Sequence, residues 1–262
     1  MQFNKENSIF VQIKTTMKIL TLLLAIILST ACATKPAESN NSTTYTITGS
    51  ISVSSESDLE WITRYDKTDL EKLRERAAVE PSECDVLFFG SSSIRLWSSL
   101  KEDMAPLTVV NRGYGGATLR DLHYNYQTVM AHYRPKAFVF YCENDMSAKS
   151  KRNITAGDLF DLTRLLFERL ERDYPNTPVY FLAIKHSERR ENIRARQALF
   201  NALMKEYCDK SEQAIFIDTC TPLLTEEGKA DPSFYLEDKL HLAPEGYAVW
   251  KEVVRPFLIK NL

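Results

Sequence analysis

The 262-residue chain has little that would point to metal, nucleic acid or a membrane span. Its five cysteines, at 32, 84, 142, 208 and 220, form no C-x-x-C pair and no Cys/His cluster, so no metal site is implied. Net charge is only −2, and lysine and arginine are spread along the chain rather than clustered, which excludes a nucleic-acid partner. The longest apolar run, Ile19 to Ser29, falls short of the roughly 20 residues that cross a bilayer. Internal repeats are absent. So is a G-x-S-x-G elbow, since Ile94 stands where its second glycine would be, and that disfavours the α/β-hydrolase fold. Histidines number only four, at 123, 132, 186 and 241, so few positions could supply an imidazole base.

What is present begins with a targeting signal. Met17-Lys18 opens the apolar run, and Thr30-Ala31-Cys32 closes it: a basic start, a short apolar stretch and small residues before a cysteine. This resembles a bacterial lipoprotein signal, in which Cys32 becomes the lipidated first residue of a membrane-anchored, extracytoplasmic protein. Ser29 departs from the usual leucine three before the cysteine, the nearest leucine being Leu28. Simple secretion is the alternative, and Met17 makes a better start than Met1. Residues 1–31 are expected to be the signal and 32–58, rich in Ser, Thr and Asn, a flexible linker, with the folded domain over 59–262. Export would place Cys84, Cys142, Cys208 and Cys220 in an oxidising compartment, where Cys208 and Cys220, flanking one helix-to-strand connection, could pair.

With 44% hydrophobic residues the chain holds enough for one α/β core. Strands are expected over Val86–Phe89, Thr108–Val110, Ala137–Tyr141, Val179–Ile184 and Ala214–Ile217. Each is short, near-continuously apolar and stopped by a small or polar residue, as parallel strands covered on both faces are. Helices are expected over Leu59–Ala78, Leu119–Tyr133, Ala156–Tyr174, Ile193–Cys208 and Pro244–Leu258. The alternation predicts a three-layer α/β/α sandwich with a five-stranded parallel sheet.

Gly90-Ser91-Ser92-Ser93 follows the first strand, which puts a serine at the rim of the sheet, where ligands bind. Far downstream, Asp238-Lys239-Leu240-His241 sets a carboxylate three residues before a histidine. At that spacing Asp238 can accept the Nδ1 proton of His241 and leave Nε2 free to deprotonate a serine. A Ser-Ser-Ser run also suits a turn and a helix N-cap, so one of its members is expected to cap the helix that follows.

These blocks, with Asn111-Arg112-Gly113-Tyr114-Gly115-Gly116 and Glu143-Asn144-Asp145 between them, resemble the SGNH (GDSL-like) hydrolase family from about Asp85 to the C-terminus. The resemblance implies Ser92 as nucleophile, Asp238 and His241 as its partners, and an oxyanion hole from the Ser92 and Gly116 backbone N–H groups and the Asn144 side chain. Ser91 replaces the family's usual Asp, and Cys142 occupies a place where glycine or a small residue is usual, where it would narrow the pocket wall. Arg95, Trp97, Arg112 and Arg120 are further candidates for lining the cleft, with packing of Trp97 on the first helix as the alternative, and His186, after the fourth strand, is one more.

No metal or organic cofactor is implied. The expected function is a serine esterase that forms an acyl-enzyme on a small-molecule or polysaccharide ester, with carbohydrate deacetylation first among substrates. A lysophospholipase or thioesterase, an O-acyltransferase, and a catalytically inactive carbohydrate-binding lipoprotein are the alternatives. The complete set Ser92, Gly116, Asn144, Asp238 and His241 argues against the last of these, because a dead site is free to lose a member.

Overall fold

The computed structural model describes residue 60 and residues 63–147 and 154–262. Cys32, Trp61, the expected signal and all of the expected linker lie outside the described residues. Among the described residues five strands form one sheet: β1 (Glu83–Gly90), β2 (Val109–Gly113), β3 (Arg134–Tyr141), β4 (Val179–Leu182) and β5 (Ala214–Ile217). All neighbours are parallel, in the order β2-β1-β3-β4-β5. The expected five-stranded α/β architecture is what the chain adopts.

The α-helices whose full span lies among the described residues are α1 (Asp69–Ala77), α2 (Ser92–Arg95), α3 (Leu100–Asp103), α4 (Leu119–Tyr124), α5 (Tyr126–Met130), α6 (Ala156–Asp173), α7 (Arg194–Lys210) and α8 (Pro244–Asn261). Two expectations need correction. The helix expected over Leu59–Ala78 is interrupted: Glu60 and Thr63 are helical, the chain turns at 64–68, where Tyr65 packs edge-on against Tyr114 with ring centroids 5.3 Å apart, and a regular helix follows from Asp69. The helix expected over Leu119–Tyr133 is broken at Asn125, whose ψ of 15° leaves the helical range, and it ends at Ala131 with φ +45°. The apolar spacing continues through the break because Leu122, Tyr126, Val129 and Met130 all face the core.

Strands this apolar pack on both faces. Phe88, Phe89, Phe138, Phe140 and Phe181 are wholly buried, and each such side chain contributes about 1.5–3 kcal/mol relative to exposure. Trp97 packs elsewhere than on the first helix. It stacks on Tyr247 at 5.4 Å and meets Trp250 edge-on at 5.7 Å, both on α8, and its Nε1–H donates to Asp103 at 2.7 Å.

All four described cysteines are free and buried. Cys208 sits near the end of α7, before β5, and Cys220 follows the far end of that strand. Four extended residues span roughly 13 Å, well beyond the roughly 4.4–6.8 Å between the Cα atoms of a disulfide.

The register sets up the rim. Gly90 lies level with Gly113 of β2 and with Tyr141 of β3. The segments Ser91 onward, Tyr114 onward and Cys142 onward therefore leave the sheet at one height, side by side.

Candidate active site

β1 must stop at a glycine. Gly90 has φ +132°, and a Cβ there would stand 1.9 Å from the Tyr141 carbonyl oxygen, so no side chain fits. Ser91 is extended, donates its N–H to that same carbonyl at 3.0 Å, and holds the N-cap position of α2 without a side-chain capping bond. The expected serine cap is thus backbone only. Ser92 is the first residue of α2 and is half-buried, whereas Ser91 and Ser93 are 2% and 3% exposed. Two clamps hold this short turn. Asn111 Nδ2 donates to Ile94 O at 2.7 Å, and Tyr247 Oη donates to Ser93 O at 2.9 Å. The second clamp comes from α8, the helix that follows the histidine.

The segment carrying Asp238 and His241 is a reversing loop closed by Leu236 N–H on His241 O (2.9 Å) and Lys239 N–H on Leu236 O (2.8 Å). Lys239 takes φ +58°, which turns the chain back so that the Asp238 carboxylate faces its own loop. Its Oδ1 accepts the N–H groups of Leu240 and His241, each at 2.9 Å, and Oδ2 lies 2.5 Å from His241 Nδ1. Desolvation alone would raise the Asp238 pKa. The hydrogen bonds from the His241 backbone, the His241 ring and the Leu240 backbone outweigh it and hold the carboxyl down at about 2.

A carboxylate only accepts, so Nδ1 carries the proton and the neutral ring presents a bare Nε2. That nitrogen lies 3.0 Å from Ser92 Oγ. The sequence-predicted Ser92, His241 and Asp238 are thus brought into one hydrogen-bonded chain, the geometry that activates an alcohol.

Asn144 opens a short 3-10 turn (Asn144–Met146) after β3 and donates from Nδ2 to Ala117 O at 2.7 Å. Gly116 has φ +70°, and a Cβ there would come 2.6 Å from Tyr65 Oη, so a side chain fits there only if Tyr65 moves. The N–H groups of Ser92 and Gly116 donate to no acceptor among the described residues. Next to Asn144, burial raises the Asp145 pKa to about 6, although its carboxylate accepts the Leu119 N–H at 2.8 Å.

Three of the other candidates, Arg112, Cys142 and His186, make no contact with the triad among the described residues. Arg112 is wholly buried and donates to the carbonyls of Val129, Leu73 and Thr128 at 3.0, 2.7 and 2.6 Å, tying α1 and α5 to the sheet. Cys142 lies beneath the wall and does not narrow it; burial pushes its thiol pKa up, and Sγ contacts Ala117 O at 3.2 Å. His186 touches no member of the triad; its carbonyl accepts from Tyr235 Oη, and burial lowers the pKa of its ring. Arg120, on α4, acts as a charge near Asp145. Exposed Arg95 lies over Gly115.

Sequence reasoning missed Arg190. Its Nη2 donates to Asn144 Oδ1 at 2.6 Å and its Nη1 pairs with Glu143 Oε1 at 2.7 Å. It sits in an irregular 3-10 stretch (Glu188–Ile193), where no periodicity or motif marks one arginine among its neighbours.

The model of the GDSL-like lipase/acylhydrolase family matches residues 88–249, which hold every block described above. Among solved structures, a Streptococcus pneumonia protein provisionally named a platelet activating factor superposes with a TM-score of 0.66 at 19% identity, over 78% of this chain and 98% of its own. A GDSL-like lipase from Bacteroides thetaiotaomicron gives 0.60 at 18% identity, over 77% and 98%. An acetylxylan esterase from Geobacillus stearothermophilus gives 0.56 at 13% identity, over 67% and 94%. A search of curated proteins found no match.

Proposed function

The chain belongs to the GDSL-like lipase/acylhydrolase family, and from that premise we propose that it is a serine esterase removing small acyl groups, acetyl above all, from carbohydrate outside the cytoplasm. The observation that carries the chemistry is His241 Nε2 at 3.0 Å from Ser92 Oγ while Nδ1 is held by Asp238. In this reading Nε2 takes the hydroxyl proton as Oγ attacks the ester carbonyl, and the imidazolium returns it to the departing alcohol. Water, deprotonated by the same nitrogen, then attacks the acyl-Ser92 ester and releases the acid. The N–H groups of Ser92 and Gly116 and the free Nδ2 proton of Asn144 receive the negative charge that develops on the carbonyl oxygen.

A cavity of about 270 Å³ reaches the triad at Asp238, with Ser147, Arg190, Ile193 and Leu240 in its lining. The acetylxylan esterase among the structural neighbours supports both the acetyl group and the carbohydrate of the proposal. Rates on p-nitrophenyl acetate, butyrate and decanoate, beside acetyl release from acetylated xylan, test both halves. Acetate and xylan should be turned over fastest; a preference for decanoate would replace the proposal with a long-chain lipase or lysophospholipase.

Export on a lipid anchor rests on Met17-Lys18, the apolar run and Thr30-Ala31-Cys32. Expressed in a bacterial host, the wild type should incorporate labelled palmitate and sediment with membranes, and Cys32→Ser should do neither. Equal incorporation in the two would end the lipoprotein assignment.

A further inference from the structure

Asn144 is held at both ends of its amide. Nδ2 gives one proton to Ala117 O at 2.7 Å, and Oδ1 receives Arg190 Nη2 at 2.6 Å. A guanidinium only donates and a carbonyl only accepts, so the two contacts together dictate which end of the amide points where. A flipped side chain would set NH₂ against the guanidinium and Oδ1 against Ala117 O, losing both bonds. In the observed orientation one Nδ2 proton is committed and one remains.

Arg190 is itself fixed. Its Nη1 meets Glu143 Oε1 at 2.7 Å, and its side chain is 13% exposed. Glu143 is 2% exposed and also accepts from Tyr141 Oη at 3.1 Å and Gln197 Nε2 at 2.5 Å. The guanidinium fork is thus divided between a buried carboxylate and the carbonyl end of Asn144. A purely structural ion pair would need the first contact only.

We propose that Arg190 is a positioning residue for the oxyanion hole. It locks Asn144 in the orientation that presents the remaining N–H. Its charge on Oδ1 also polarises the amide, so that this N–H donates more strongly as the carbonyl oxygen becomes negative. Glu143 serves as the anchor that aims the fork. The proposal rests on the esterase reading with Asn144 in the oxyanion hole.

The test uses the full-length protein with Arg190→Lys, Arg190→Met and the double variant Arg190→Met/Glu143→Gln. The double variant leaves no lone carboxylate buried, and thermal melting checks that it tolerates the buried Lys185, whose charge Glu143 faces. Loss of a whole oxyanion donor typically costs about 10²–10³ in kcat, so losing its orientation and polarisation should cost roughly 10–10². That loss is expected in kcat on p-nitrophenyl acetate, with KM within a few-fold. Affinity for a short alkyl boronic acid, whose adduct on Ser92 is tetrahedral and anionic, should fall in parallel. Arg190→Lys should fall between wild type and Arg190→Met.

The deciding measurement is a cycle with Asn144→Ala. Because Arg190 acts through that amide, Arg190→Met should cost almost nothing further in the Asn144→Ala background. A full multiplicative loss there, a loss confined to KM, or a double variant with wild-type kcat and boronate affinity would each overturn the proposal. If Asn144→Ala itself keeps wild-type turnover, the oxyanion assignment has failed instead.

Discussion

Ser92→Ala should lose essentially all ester hydrolysis while melting like the parent protein. Among the described residues the hydroxyl has one side-chain hydrogen-bond partner, His241 Nε2, and that imidazole is itself partly exposed to solvent. Truncation therefore leaves no buried donor or acceptor unsatisfied and no cavity in the core. Everything it removes is chemical, because no other group takes the place of Oγ in forming the acyl-enzyme. In serine hydrolases built on this logic, loss of the nucleophile alone costs on the order of 10⁶ in kcat, and what remains comes from binding and the oxyanion donors. A loss of at least about 10⁴ is expected on p-nitrophenyl acetate. Ser91→Ala and Ser93→Ala are the controls, since their contributions to the turn are the Ser91 N–H on Tyr141 O and Ser93 O under Tyr247 Oη, both backbone groups. They should stay within a few-fold of wild type. If Ser92→Ala keeps its turnover and either control loses it, the nucleophile has been misassigned.

The serine turn and the Asp-His pair were legible in the sequence because their determinants are local, whereas the choice of Ser92 within the turn came from the family resemblance. Gly90 after an apolar run ends a strand wherever it occurs, and the three-residue spacing of Asp238 and His241 needs only one reversing turn, which Lys239 supplies at φ +58°. The five strands were legible for the same reason, being continuous apolar stretches between breakers. Helix ends were not. Leu122, Tyr126, Val129 and Met130 keep a helical spacing across Asn125, so the periodicity records which residues face the core and not where the backbone kinks. Arg190 was beyond reach for a deeper reason: its role exists only because the segment before α7 crosses the rim beside Glu143 and Asn144, 46 residues earlier. Arg112 errs the other way, since a motif arginine that resembles a cleft residue is spent on three backbone carbonyls inside the fold.

Asp238→Asn should cost about 10² to 10⁴ in kcat with His241 still in place. The loop does not depend on the charge for its shape: Leu236 N–H on His241 O and Lys239 N–H on Leu236 O close it, and an amide oxygen can still accept the Leu240 and His241 N–H groups. What the carboxylate alone supplies is an obligate acceptor at 2.5 Å from Nδ1. An asparagine can present NH₂ there instead, which favours the tautomer with the proton on Nε2 and so blocks the base, and it no longer stabilises the imidazolium. Acid pH offers a second check. Asp238 is depressed to about 2, so the stability it contributes is present above its unfolded value of about 4 and is lost only as the pH falls towards 2. Between neutrality and about pH 5 the carboxylate stays ionised and neither its charge nor its contribution to folding changes. A change of rate in that window therefore does not report the Asp238 charge, whereas Asp145 beside Asn144, which burial holds up at about 6, takes up its proton there. Wild-type protein should stay folded by circular dichroism across that window and lose the Asp238 contribution only as the pH falls from about 4 towards 2, a loss that Asp238→Asn does not show. An Asp238→Asn enzyme within a few-fold of wild type would show that this pair is not the working base.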